Sequence, residues 1–264
     1  MSGFDLRAIS RELDEFSGAY VKKAYMPHYE QIVLRINPKE SPQFDLVLVR
    51  GARIYTSNRD RPMPMTPPPF AMVLRKHLKN ARMTKVRQLG FDRVLAFDFD
   101  TKFGERHLYV EVFRDGNIIL TDEEDVIIQP LTHASYAGRT LKKGVQYQPP
   151  PQALDPYELD IEALEDMFEK SDRDLVSTLG GKANLGGTHA NAVCELAGVK
   201  PNSETKGVSS KEILSALHSL LDDLANSRQG YLMLKPSEEF DEKGLKEHIS
   251  TLENNSIRDR FLET

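Results

Sequence analysis

Five prolines stand within eight residues: Pro62, Pro64, Pro67, Pro68 and Pro69. Proline has no backbone N–H to donate and a fixed φ, so this stretch is neither a helix interior nor a central strand. It predicts an extended connector. Thr66 is placed to cap the helix that follows, and proline is tolerated in that helix's first turn.

The residues on either side take their expectations from this break. Before it, residues 5–16 predict a helix, with Asp5 as its cap and Leu6, Ile9, Leu13 and Phe16 on one face. Gly18 ends it. Four β-type runs follow, 19–25, 31–37, 44–50 and 53–57, punctuated by Pro27, Asn37-Pro38, Pro42 and Gly51. After the connector, residues 70–81 predict a helix with Phe70, Leu74, Leu78 and Ala81 in an apolar stripe. Strands are expected at 83–89, 94–100, 107–113 and 117–121, with a hairpin turn at Asp115-Gly116.

The Tyr147-Gln148-Pro149-Pro150-Pro151 stretch reads as a boundary, beyond which the pattern turns helical. Helical patterns cover 160–170, 175–178, 188–197 and about 210–226, with a glycine-rich turn from Gly180 to Gly187. The expected fold class is α+β: an antiparallel-sheet N-terminal domain, 1–151, then an all-α domain, 152–228. Residues 229–264 read as a tail, the start of a truncated middle region.

Composition excludes several classes. The single cysteine, Cys194, rules out an internal disulfide framework and a cysteine-cluster metal site. No run approaches the roughly 20 apolar residues of a membrane helix, and the start of the chain lacks a basic and an apolar signal region. The expectation is a cytoplasmic protein without a membrane partner. No two histidines stand four apart with a carboxylate between, so no metal site is expected. No nucleophile elbow or nucleotide loop is present either. The reading is therefore of a non-enzyme with no catalytic residue, no cofactor and no small-molecule substrate.

The formal net charge is −5, so the chain is not basic throughout. Its cations are instead concentrated locally. Arg75, Lys76, Lys79, Arg82, Lys85, Arg87 and Arg93 face only Asp92 in their segment. Such a segment is either a phosphate-contacting footprint or a solvated helix face and strand edge. Asp92-Arg93, after Gly90-Phe91, can present an acceptor beside a planar five-donor fork, or be an ordinary surface turn. Gly186, Gly187 and Thr188 can aim helix N-terminal N–H groups at a phosphate, as helix-hairpin-helix binders do, or simply allow close helix packing.

Four blocks, taken in order, resemble a known family. They are residues 67–78, with Pro67-Pro68-Pro69-Phe70-Ala71-Met72 and Arg75-Lys76-His77-Leu78; Gly90-Phe91-Asp92-Arg93-Val94; residues 109–122, with Phe113-Arg114-Asp115-Gly116-Asn117; and residues 185–194, with Leu185-Gly186-Gly187-Thr188-His189. Together they look like the N-terminal and helix-hairpin-helix domains of the NFACT family, the RqcH/NEMF group. In bacteria this group is often labelled fibronectin-binding protein A.

The resemblance implies a ribosome quality-control factor. Its expected partners are tRNA and a large ribosomal subunit carrying obstructed peptidyl-tRNA, and its expected role is C-terminal tailing of stalled chains. It also implies a first domain similar to the N-terminal domain of formamidopyrimidine-DNA glycosylases. The family's Asp–Arg pair falls on Asp92 and Arg93, and its N-terminal aspartate on Asp5. With Arg75, Lys76 and Lys79 these make the expected tRNA-binding set. The alternative, a glycosylase-type enzyme, lacks its N-terminal proline nucleophile, since Met1 is followed by Ser2 and Gly3. An adhesin, the third reading, conflicts with the missing signal segment.

Overall fold

The first helix starts before Asp5, and the reason is local. In the computed structural model, α1 spans Gly3–Asp14 and its N-cap is Ser2. The Ser2 hydroxyl accepts from the Asp5 N–H at 3.2 Å, and the Asp5 carboxylate accepts from the Ser2 N–H at 2.7 Å. Asp5 is thus the third helical residue of a reciprocal capping box, not the cap. The structure describes residues 1–136, 138–151 and 153–226; the expected tail, 229–264, lies outside the described residues.

Nine strands form one antiparallel sheet. They are β1 (Tyr20–His28), β2 (Gln31–Asn37), β3 (Phe44–Val49), β4 (Arg53–Ser57), β5 (Arg82–Gln88), β6 (Val94–Thr101), β7 (Gly104–Glu111), β8 (Ile118–Thr121) and β9 (Ile127–Pro130). Their order is β4-β3-β2-β1-β5-β6-β7-β8-β9, and β1 meets β5 at a single register pair, Tyr20 with Arg82. At that seam the sheet divides into two halves whose inner faces share one core. Ile32, Leu34, Leu46 and Leu48 come from the first half, and Leu95, Phe97, Phe99, Leu108 and Val110 from the second.

At one edge the halves are tied by the Gly51 N–H, which donates to the Glu111 carbonyl at 3.1 Å. Gly51 has φ 65°, and a Cβ there would lie 2.9 Å from the Phe113 carbonyl oxygen, so glycine is required on both counts. Two helices complete this core, α1 through Leu6 and Leu13 and α2 (Pro69–Leu78) through Phe70, Leu74 and Leu78.

Three local expectations are corrected here. The N-cap of α2 is Pro68, with no side-chain cap, so Thr66 does not serve. The same helix stops at Leu78 and not near 81, because Lys79 is extended and Asn80 has φ 60°. The β7–β8 link runs from 112 to 117, longer than a two-residue turn at Asp115-Gly116.

Both outer faces are covered. Val33, Val47 and Val49 pack against Tyr25, Tyr55 and the connector's Met63. Val94, Ala96, Tyr109 and Ile119 lie beneath Ile127, Leu141 and Tyr147. That cover includes β9 and the small hairpin of β10 (Ala134–Tyr136) and β11 (Arg139–Leu141), none of which the sequence pattern predicts.

The remaining elements are helical: α3 (Ile161–Glu169), α4 (Leu175–Gly181), α5 (Gly186–Leu196) and α6 (Ser210–Asn226). Asp160 and Asp174 cap α3 and α4 through their carboxylates. The core of this part contains Leu164, Phe168, Leu179, Val193 and Leu217, and also Phe4 and Phe91 from the sheet part. Residues 1–226 accordingly form one compact unit. Among the described residues, no helix is long and apolar enough to cross a membrane.

Candidate functional site

The loop between β5 and β6 carries the Asp–Arg pair, and its conformation follows from one buried ring. The Asp92 N–H donates to the Leu89 carbonyl at 3.1 Å, closing a tight turn that Gly90 enters with φ 57°. Phe91 points inward, 2% exposed, with its ring 4.7 Å from that of Phe4 in an edge-on contact. With Phe91 anchored, Asp92 is half-buried and Arg93 exposed. The Asp92 Oδ1 accepts from the Arg93 backbone N–H at 2.6 Å. The Arg93 guanidinium has no hydrogen bond or ion pair among the described residues, so its five donors face solvent.

The start of α1 is pressed against this loop. A Cβ on Gly3 would lie 2.8 Å from the Phe91 ring, so the close approach depends on glycine. Gln88 Nε2 donates to the carbonyls of Gly3 at 2.9 Å and of Asp92 at 2.8 Å. Asp5, two residues beyond Gly3, therefore sits on an element clamped to the Asp92 loop. Its carboxylate is exposed, with Oδ2 held by the capping box.

Arg7 locks the arrangement. Its Nε donates to Gln88 Oε1 at 3.1 Å, and its Nη2 to the Gly90 carbonyl at 3.1 Å and to Asp155 Oδ2 at 2.9 Å. The guanidinium also lies 5.0 Å from the Phe91 ring and 4.8 Å from that of Tyr157. Arg7 and Gln88 carry no signal in the sequence because their partners are remote along the chain.

The α4–α5 turn comes to the same place. Asn184, at φ 57°, donates from Nδ2 to the carbonyls of Phe91 at 3.4 Å and Leu154 at 3.1 Å. The His189 ring lies 4.3 Å from Phe4. Gly186, Gly187 and Thr188 are exposed at the start of α5, whose N-cap, Leu185, offers no side-chain hydrogen bond. Their neighbour Gly180 packs closely, since its Cβ would stand 3.5 Å from the Gly186 backbone. The turn thus combines helix packing at Gly180 with exposed N–H groups at Gly187 and Thr188.

The basic segment does not form one patch. Since α2 precedes β5 and the Asp92 loop follows it, Lys76 and Lys79 lie at the opposite end of β5 from Arg93. Arg75 donates to the Ala24 carbonyl at 2.7 Å, Arg82 pairs with Asp100 at 3.3 Å, and Arg87 with Asp98 at 3.0 Å. Of the expected tRNA set, then, Asp5 lies on the helix whose start is clamped to the loop of Asp92 and Arg93, while Arg75, Lys76 and Lys79 stand elsewhere.

One polar network is invisible in the sequence. On the outer face of the second half-sheet, Asp98 receives Arg87 and also His107 Nδ1–H at 2.8 Å. Glu105 is near enough that Asp98, Glu105 and His107 place ligand atoms within 4.8 Å of one another. Both Asp98 oxygens are already engaged by Arg87, and one of them also by His107, so the group is a charge-paired network and not an open metal site.

The Asp98 hydrogen bond raises His107 above the ordinary imidazole value. Burial alone would push Asp98 up, but the hydrogen bonds from His107 and Arg87 bring it below the usual carboxylate range. The protonated His107 therefore stabilises the fold fully below its unfolded value near 6.5, and this is lost as pH rises through the raised folded value. A hydrogen bond to a charged partner contributes roughly 1.5–3 kcal/mol. Thermal melts from mildly acid to mildly alkaline pH should show this loss in the native chain and much less of it in His107→Gln. Parallel pH profiles for the two proteins would contradict the assignment.

The fold and this cluster define a class: an α+β fold that exposes an Asp–Arg pair where its sheet and helices meet. The chain belongs to the NFACT family, matching that family's N-terminal and middle domains over residues 2–259. It is similar to the archaeal Rqc2 homolog aRqcH of Methanocaldococcus jannaschii, with 32% identity over 91% of this chain and 38% of that protein. It is also similar to the human ribosome quality control complex subunit NEMF, with 36% identity over 56% of this chain and 14% of that protein. The chain thus spans less than half the length of either relative. Among solved structures, the N-terminal part of the fibronectin/fibrinogen-binding protein of Streptococcus suis has a TM-score of 0.68 at 26% identity, covering 83% of this chain and 84% of that one.

Proposed function

We propose that this chain is the RNA-facing front module of a cytoplasmic ribosome quality-control factor, without chemistry of its own. It engages tRNA, and in the whole factor a large ribosomal subunit with obstructed peptidyl-tRNA, so that aminoacyl-tRNA is positioned for C-terminal tailing. Proximity and orientation suffice for such a role. The observation that carries this reading is the exposed, unpaired Arg93 fork beside Asp92, on a loop anchored by Phe91 and clamped to the Asp5 turn. The names of the archaeal and human relatives support it and do not favour the glycosylase alternative. The exposed start of α5 supplies a second group of donors on the same side, bridged by Asn184. On this reading, residues 1–151 and 152–228 act as the sheet and helix-hairpin-helix domains of one binding unit.

The test is binding of the chain to purified tRNA and to large ribosomal subunits at two salt concentrations, beside an Asp92→Ala/Arg93→Ala variant. Removing one good bidentate interaction is worth about 1–3 kcal/mol, or roughly 5- to 150-fold in affinity. Melting should change by no more than about 1 kcal/mol, since Arg93 is exposed and half-buried Asp92 gives up one hydrogen bond, from the Arg93 N–H. Equal tRNA affinity in variant and native chain would defeat the assignment.

A further inference from the structure

We infer that Arg7 is the positioning residue of the Asp92–Arg93 pair, and that through Asp155 it makes the aim of that pair depend on the helical part being seated. This rests on the reading of the pair as an RNA contact. Two consecutive carbonyls of the loop are tied to two consecutive residues of the segment that leads into the helices. The Gly90 carbonyl and Asp155 Oδ2 accept from one nitrogen, Arg7 Nη2, at 3.1 and 2.9 Å. The carbonyls of Phe91 and Leu154 accept from one amide, Asn184 Nδ2, at 3.4 and 3.1 Å. Further along the loop, the Asp92 carbonyl is held by Gln88, whose own Oε1 accepts from Arg7 Nε at 3.1 Å. Arg7 therefore fixes the loop directly at Gly90 and, one side chain removed, at Asp92, the residue before the exposed fork.

Arg7 acts through the loop and not as a phosphate contact. Its Nε and Nη2 are engaged by protein acceptors, and its guanidinium lies over the Phe91 and Tyr157 rings, whose centres are 6.1 Å apart. With side chains 25% and 17% exposed, Arg7 and Asp155 form a mostly buried ion pair. Asp155 is fixed in turn, because its Oδ1 accepts the Tyr157 N–H at 3.0 Å. A lysine in place of Arg7 keeps a positive charge for Asp155, but it lacks the planar fork that reaches Gln88, Gly90 and Asp155 at once. A loop without these supports samples more orientations, and binding must then supply the order that the free chain has lost. Asp155 gives the inference a sign. By charge alone, removing a carboxylate near an RNA site reduces repulsion and tightens binding. If Asp155 holds Arg7 in place, removing its charge weakens binding instead.

The experiment is titration of the whole chain with bulk tRNA at one fixed salt concentration. The proteins are the native chain, Arg7→Lys, Asp155→Asn, Asp92→Ala/Arg93→Ala, and Arg7→Lys combined with Asp92→Ala/Arg93→Ala. Thermal melts give the folded fraction of each, by which the affinities are corrected. Arg7→Lys should bind about tenfold more weakly, inside the roughly 5- to 150-fold that the pair itself is worth. Added to Asp92→Ala/Arg93→Ala it should cause no further loss, since a residue that acts only through the pair has nothing left to position. Asp155→Asn should bind about threefold or more weakly, and it decides the matter if Arg7→Lys does not fold. Native affinity in Arg7→Lys, an equal further loss in the combined variant, or unchanged or tighter binding by Asp155→Asn overturns the inference. The loss in Asp92→Ala/Arg93→Ala alone then leaves the RNA-facing reading intact. A native chain that does not bind tRNA, or an Asp92→Ala/Arg93→Ala variant that binds as the native chain does, overturns both.

Discussion

Replacing Arg139 with alanine is expected to cost the fold about 3–5 kcal/mol, the usual penalty for stranding one partner of a buried ion pair. Glu111 is fully buried, and its carboxylate is held by Arg139 at 2.5 and 3.1 Å and by the Tyr147 hydroxyl at 3.1 Å. Burial pushes the Glu111 carboxyl up, and Arg139 and Tyr147 recover only part of that shift. Without Arg139 it moves higher still. A carboxyl raised in the folded state holds its proton after the unfolded chain has released it, so stability falls as pH rises across that interval. The penalty in Arg139→Ala should therefore be largest at neutral and alkaline pH and shrink toward about pH 5. Urea unfolding at both ends of this range measures it. Adding Glu111→Gln, which removes the stranded charge, should recover part of the loss at neutral pH. A penalty that does not vary with pH would show that the carboxylate is not what the arginine serves.

Phe91→Ala should combine two losses that Asp92→Ala/Arg93→Ala separates. Removing a buried phenylalanine costs about 3–5 kcal/mol, from reduced burial and from the cavity left behind. Here the ring also sets where Asp92 and Arg93 point, because it fixes the loop against Phe4 and lies beneath the Arg7 guanidinium. The variant should be less stable and, at temperatures where it remains folded, bind tRNA more weakly. Phe91→Leu should keep most of both. Calorimetry paired with tRNA titration checks this. An unstable Phe91→Ala that binds tRNA as well as the native chain would mean that the anchor and the pair are independent.

The strands are legible because Ile32, Leu34 and Ile36, or Leu95, Phe97 and Phe99, recur at the period of a pleat, and prolines or glycines stand at their ends. The cover strands β9 to β11 are not, being only three or four residues long, with Pro130 inside β9. The cap of α1 falls on Ser2 and not on Asp5, and it escapes the pattern because Ser2 precedes any apolar periodicity. Asp92, Arg93 and the α5 glycines can be singled out as residues, but not their meeting. That meeting depends on Gln88, Arg7 and Asn184, each bonded to partners far along the chain. Linear charge density misleads in the same way, for it joins Lys76 to Arg93 across a strand that in fact separates them.

The seam between β1 and β5 has a consequence in time. Every other strand pairing joins neighbours along the chain, so each half can zip up from its own hairpins with short loops to close. The Tyr20–Arg82 pairing alone in the sheet waits for the connector and α2 to be in hand. Pairings this local favour fast folding. As the chain emerges from synthesis, the first four strands can be in register before the Asp–Arg loop has left the ribosome, and that loop takes its final seat only when the later helices arrive to pack against Phe4 and Phe91.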